Sequence, residues 1–146
     1  MGRSGQYWGV AWVCPKCSRQ FGRAGQSHEC APAMSLDEYF ATGPERERPI
    51  FEAVMRHLEP VGPVHVEPVS VGIFLKRARS FAELRPMRQW VALSFSLPYR
   101  AQHPRITRKV QLYGRRYFHV VNLRSADDLD AQILQSLTEA YLQSPE

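Results

Sequence analysis

The sequence predicts an α+β fold: an antiparallel sheet of about four strands flanked by an N-terminal and a C-terminal helix, preceded by a small zinc-binding module. Three observations carry this expectation. Apolar residues recur at helical spacing early and late in the 146-residue chain. Between those stretches they alternate at period two, as on a half-covered strand. All three cysteines fall in one short segment near the start. The 44% hydrophobic and 11% aromatic content is too apolar for a disordered chain, and no long charge-free stretch offers a membrane span.

The first element is the module, residues 1–33. Cys14 and Cys17 form a C-x2-C pair whose tight turn aims two sulfurs at one point. His28 and Cys30 follow in an H-x-C pair, and residues two apart in an extended segment project to the same side. Three sulfurs and one imidazole suit tetrahedral zinc, and four protein ligands leave no open position, so the predicted role of the metal is structural. So short a segment buries too little surface to fold alone, and zinc contributes on the order of 10–16 kcal/mol in finger peptides. Trp12 and Phe21 supply a minimal apolar plug. Ala31-Pro32-Ala33-Met34 reads as a linker into the main domain, residues 34–146.

That domain opens with Ser35-Leu36-Asp37-Glu38, a capping box starting a short helix to about Phe40. Gly43-Pro44 interrupts it. Ile50, Phe51, Val54, Met55 and Leu58 then form a helical stripe that Pro60, Gly62 and Pro63 end. Strand alternation follows in Val69–Lys76, with Val69, Val71, Ile73 and Leu75 on one face. It recurs in Val91–Leu97, in Ile106–Leu112, and in Tyr117–Leu123, where His119 shares the apolar face. Val64-His65-Val66 is a further short strand candidate. Tyr113-Gly114-Arg115-Arg116 reads as a hairpin turn. Ser125 is the expected N-cap of the last helix, with Asp127, Asp128 and Asp130 in its first turn and Leu129, Ile133, Leu134, Leu137, Ala140 and Tyr141 on its buried face.

Charge is segregated. Residues 69–124 carry 12 basic residues against Glu83 alone, while residues 35–68 carry 7 acidic and 3 basic residues and residues 125–146 carry 5 acidic and none basic. Only Lys16, Lys76 and Lys109 among the 19 basic residues are not arginine. Arginine makes bidentate contacts to phosphate and stacks on rings. Interleaved aromatics such as Phe74, Trp90, Tyr99 and Tyr113 fit a surface that stacks bases and neutralises phosphates. The anion-binding candidates are Lys76, Arg77, Arg79, Arg88, Arg108, Lys109, Arg115 and Arg116. Phe81, Tyr117 and His119 are candidates for a pocket.

Enzyme signatures are thin: the sequence contains no G-x-x-x-x-G-K-[ST], G-x-G-x-x-G or H-E-x-x-H. No residue is assigned a catalytic role. The function expected is a non-catalytic protein with a structural zinc site and a basic sheet surface for an anionic partner, DNA or RNA. The alternatives are a protein-interaction module, where the knuckle docks a partner, and an enzyme on a phosphorylated small molecule using His119 and Lys76. The start of the chain lacks the apolar run of a secretory signal, and Gln6 argues against myristoylation, so the expected location is cytoplasmic, with no membrane partner.

The order of motifs also resembles a known family. Trp12, Cys14, Pro15, Cys17, Phe21, His28 and Cys30 are similar to the zinc-ribbon-like start of bacterial proteins that continue into domain-of-unknown-function family 5655. Ser35 to Phe40, Ser80-Phe81-Ala82, His119, Ser125 to Asp130, and Ala140-Tyr141 extend the resemblance over about residues 12–143. It implies an accessory domain beside restriction-type nuclease or defence modules, hence a nucleic-acid-related role by association. Members often carry a basic residue where this chain reads Val69-Ser70-Val71. Lys76, at the strand's far end, is the nearest substitute.

Overall fold

The computed structural model describes residues 12–28, 30 and 34–144; the expected linker residues Ala31–Ala33 lie outside the described residues, as does Trp8, which with Trp12 would form the apolar patch of a protein-interaction module. The knuckle is a two-stranded ribbon, β1 (Trp12–Val13) and β2 (Gln20–Phe21), paired antiparallel. Two helices follow, α1 (Leu36–Ala41) and α2 (Glu47–Leu58). Six strands come next: β3 (His65–Val69), β4 (Gly72–Lys76), β5 (Ser80–Pro86), β6 (Val91–Leu97), β7 (Gln111–Tyr113) and β8 (Arg116–Leu123). The chain closes with α3 (Ala131–Leu142). The large sheet is antiparallel in the order β3-β4-β5-β6-β8-β7. Among the described residues, no helix is long and apolar enough to cross a membrane.

Local signals account for the helices. The Glu38 N–H donates to Ser35 Oγ at 3.1 Å and the Ser35 N–H donates to Glu38 Oε1 at 3.0 Å, completing the expected capping box. Helix α2 buries Ile50, Phe51, Val54 and Leu58 along its apolar stripe. It stops near Gly62, where a Cβ would collide with the Tyr141 hydroxyl, which donates to the Pro63 carbonyl at 2.9 Å. One face of the sheet, carrying Ile73, Leu75, Leu84, Leu93, Phe95, Val121 and Leu123, joins Ile50, Val54, Leu58, Ile133, Leu137 and Tyr141 in a single core. Each fully buried aliphatic or aromatic side chain contributes about 1.5–3 kcal/mol. Glu67, Phe74, Glu83, Arg85, Ser94, Val120 and Phe118 alternate onto the opposite face.

The sheet has six strands, not four: β3, which takes in most of the short candidate Val64-His65-Val66, and β5 are the two added, and three details of the strand reading change. The expected strand Val69–Lys76 is broken by a turn at Ser70–Val71, which ends β3 and starts β4. Strand β5 was not read from the sequence. A register shift opposite Leu75 and Lys76 leaves Phe81 as an extra residue, and Phe81 and Ala82 are both buried. A bulge of this kind destroys the period-two signature. Ile106–Leu112 is not a continuous strand: Ile106 makes an isolated bridge to Val121, and pairing resumes only at Gln111. The hairpin at Gly114 is as expected, with Gly114 at φ 60°, the left-handed region glycine favours.

The last helix starts later than its sequence indicates. Ser125 precedes a 3-10 turn, Ala126–Asp128, and makes no side-chain cap bond. Asp130 is the N-cap of α3, its Oδ1 accepting from the Ile133 N–H at 2.9 Å while Oδ2 pairs with His103 at 2.6 Å. Asp128 meets Arg105 at 2.8 Å and accepts the Arg124 N–H at 2.8 Å. Asp128 and Asp130 hold the β6–β7 loop and the end of β8, and of the two only Asp130 also serves the first turn of α3.

Candidate metal centre and the adjoining cleft

The C-x2-C turn is closed by backbone. The Ser18 N–H donates to the Cys14 carbonyl at 2.8 Å, and the Cys14 N–H to the Arg19 carbonyl at 2.9 Å. Ser18 sits at φ 63°, an uncommon conformation for a residue with a Cβ. The ribbon pairing Trp12 with Phe21 folds the chain back, and the ligand atoms of Cys14, Cys17, His28 and Cys30 lie within 4.8 Å of one another. All four residues expected to form the centre therefore converge, and the cluster can hold a metal ion. Imidazole Nδ1 of His28 lies 2.6 Å from the Gln26 carbonyl, which directs Nε2 to the three sulfurs. Its ring stacks on Phe21 at 4.0 Å, with Trp12 alongside.

Electrostatics favour thiolate at Cys14. Burial pushes the Cys14 thiol up, but the Cys17 and Lys16 backbone N–H groups and the neighbouring Cys17 and His28 outweigh it, lowering the pKa to about 6. Cys30 moves the other way, raised by desolvation and by Cys14 and Cys17 beside it. Crowded sulfurs that repel one another as anions are what a cation relieves.

The knuckle docks on the open face of the sheet through a buried ion triad. Glu67 accepts from Arg19 Nε at 2.7 Å, Lys76 Nζ at 2.8 Å and the Gln20 N–H at 3.1 Å. Lys76 also donates to the Gln20 carbonyl at 2.8 Å and lies over the Phe21 ring. All three charged residues are 5% exposed or less. Burial opposes ionisation of Glu67, but its hydrogen bonds to His65, Lys76 and Arg19 prevail and hold its carboxyl far below the usual carboxylate range. Burial pulls the Lys76 ammonium down, and Glu67 opposes this only in part. Beside the triad, between knuckle and sheet, lies a cleft of about 280 Å³. Phe74, Val69, Val71 and Ala78 line it on the sheet side and Gln26, Ser27 and His28 on the knuckle side, with Arg79 and Arg85 also in its wall.

The family described as domain of unknown function (DUF5655) matches residues 36–144, from the start of α1 to just past α3. The chain belongs to the DUF5655 family. No curated protein and no solved structure matches it. The family span covers the sheet and its helices, and the four residues of this DUF5655 protein that could hold a metal ion precede it.

The cations expected on the DUF5655 sheet surface are dispersed, and most lie off the strands. Lys76 is not at the surface, because Glu67 and the docked knuckle enclose it. Arg77 and Arg116 cap α3: Arg77 Nη1 donates to the Tyr141 carbonyl at 3.1 Å and Arg116 Nη1 to the Gln143 carbonyl at 2.9 Å, satisfying last-turn acceptors that favour cations. Arg79 and Arg115 are exposed in the β4–β5 and β7–β8 turns. Those turns lie at the same end of the sheet, since Lys76 pairs with Ser80 and Leu97 with Tyr117. Arg100, not singled out from the sequence, joins them and lies over the Tyr117 ring. Arg88 is in the β5–β6 turn at the opposite end, and Arg108 and Lys109 are exposed in the loop before β7.

The expected pocket at Phe81, Tyr117 and His119 is largely core. Phe81 packs edge-on against Tyr141, and His119 is fully buried, stacked on Phe95 with 10° between the rings. His119 Nε2 accepts the Ala101 N–H at 2.9 Å. Burial lowers its pKa, partly offset by the Phe95 and Tyr117 backbone, so the imidazole is neutral and positions the chain after β6. Glu67, which anchors the knuckle, was missed because an isolated acid in an apolar strand carries no mark of its distant partners. Its one signal is a lone acidic residue between Val66 and Pro68-Val69.

Proposed function

We propose that this DUF5655 protein is a non-catalytic nucleic-acid-binding protein whose knuckle is built on structural zinc. Zinc–sulfur bonds of about 2.3 Å set tetrahedral sulfurs about 3.8 Å apart, and sulfur and imidazole nitrogen about 3.6 Å apart. The corresponding distances here are 3.8 Å for Cys14 to Cys30, 3.5 Å for Cys17 to His28 and 3.3 Å for Cys30 to His28. Three thiolates and a neutral imidazole around a divalent ion leave a surplus negative charge. Buried Arg19 and Lys76 meet on the Glu67 carboxylate beside it, and a negative cluster next to these cations supports a metal role in docking the knuckle. Four protein donors leave no position for substrate.

The observation that carries the nucleic-acid reading is the set of five arginines at one end of the sheet, Arg77, Arg79, Arg100, Arg115 and Arg116, with exposed Tyr99 and Tyr113 close in sequence. Arg79, Arg100 and Arg115 are the exposed members, free to neutralise phosphates. The test is fluorescence anisotropy with labelled DNA and RNA across a salt titration. Binding should weaken steeply as salt rises, and reversing Arg79, Arg100 and Arg115 to Glu should flatten the slope by about one per lost phosphate contact. Zinc-loaded protein that binds neither polymer at low salt would sink this reading. A second reading rests on β7, an edge strand whose Leu112 and Tyr113 are 55% and 62% exposed: a protein partner could add a strand there.

A further inference from the structure

We propose that the cleft between knuckle and sheet binds one unpaired, phosphate-bearing nucleotide, which would make this protein selective for single strands. The proposal rests on the nucleic-acid reading and adds a specific site to it. At about 280 Å³ the cleft is just below the usual range for small-molecule sites, close to the size of a single nucleotide and too small for a base pair. Its chemistry is divided. Val71 and half-buried Phe74, backed by fully buried Val69, offer an apolar wall for a planar ring. Arg79 and Arg85, both exposed, offer guanidinium groups to a phosphate. Gln26 and Ser27 bring amide and hydroxyl groups that can meet a base edge.

Among the described residues, no carboxylate lines the cleft. The nearby Glu67 is 3% exposed, with its oxygens occupied by Arg19, Lys76, Gln20 and His65, and Glu83 is engaged by Arg85. An anion entering the cleft therefore meets Arg79, with Arg85 beside it paired to Glu83. A base inside a duplex cannot reach such a site without leaving its stack, whereas an unpaired or terminal nucleotide can. The cleft exists only with the knuckle in place, so the metal centre would contribute to binding by holding the Gln26–His28 wall.

The test titrates the zinc-loaded full chain with adenosine 5′-monophosphate, adenosine and inorganic phosphate, followed by amide NMR and calorimetry. A single-stranded oligonucleotide of about 15 nucleotides and its duplex are measured in parallel. Two variants accompany the wild type: Arg79→Ala, in an exposed turn, and Val71→Trp, which fills the cleft from the β3–β4 turn. The expected result is saturable binding of the monophosphate, with shifts at Ser27, Val71 and Ser80. Arg79→Ala should weaken it about tenfold, as loss of a charged hydrogen bond does, and Val71→Trp should abolish it with zinc content and melting temperature retained. The single strand should bind more tightly than the duplex. Oligonucleotide binding without monophosphate binding overturns the cleft while leaving the arginine reading intact. Inorganic phosphate binding as tightly as the monophosphate, or monophosphate binding indifferent to both variants, also overturns it. Binding of none of these probes removes both readings.

Discussion

Replacing Glu67 by Gln tests what fastens the knuckle to the sheet. The substitution keeps shape and volume but removes the one negative charge between Arg19 at 2.7 Å and Lys76 at 2.8 Å. It takes the shared carboxylate charge away from two cations that are each 5% exposed or less. Breaking a buried pair in this way costs about 3–5 kcal/mol, because the stranded charge stays desolvated. At about 3 °C per kcal/mol for a chain this size, the melting temperature should fall by about 9–15 °C. The exposed Arg48–Glu52 pair, 3.4 Å apart and more than half exposed on both sides, is the internal control. Glu52→Gln should cost at most about 0.5 kcal/mol.

The assay is urea unfolding of zinc-loaded protein, with both variants against the wild type. pH supplies an independent check. Glu67 has its folded pKa far below the ordinary value, so its contribution is fully present above about pH 4.3, the unfolded value, and is lost as pH falls towards the folded one. The difference between wild type and Glu67→Gln should be constant near neutrality and shrink below about pH 4. A Glu67→Gln cost under about 1 kcal/mol, or one no larger than that of Glu52→Gln, would refute the triad as the anchor.

Two further outcomes follow from the same geometry. Stripping the metal with a chelator, or replacing Cys17 by Ser, should release the knuckle. Hydrogen exchange at Cys14 and Ser18 should then rise to the unprotected rate while the β6 and β8 amides stay protected. Ser35→Ala should remove the reciprocal cap of α1 and lower stability by about 1 kcal/mol in chemical denaturation, with Ser35→Gly costing only a few tenths.

What the sequence determined by itself was local. The capping box of α1, the stripe of α2, the strands β6 and β8, the glycine hairpin between β7 and β8, and the C-x2-C and H-x-C pairs all rest on close neighbours in the chain, whereas the two pairs, 11 to 16 positions apart, meet only through the β1–β2 ribbon. Caps, turn glycines and C-x2-C spacing act at that range, so the residues carry the signal where they stand. The two breaks in strand reading were decided elsewhere. A turn needing neither Gly nor Pro at Ser70–Val71, and a bulge at Phe81, depend on which strand lies alongside. Only tertiary structure decided the electrostatics. Lys76 looks like one more surface cation until the fold brings Arg19 and Gln20 onto the same carboxylate from 48 and 47 positions away. Arg77 and Arg116 belong to the charge run in sequence, yet the end of α3 takes them for its own carbonyls. Charge composition counts cations, but desolvation and long-range pairing decide which of them remain available to a partner, and those terms exist only once the chain is folded.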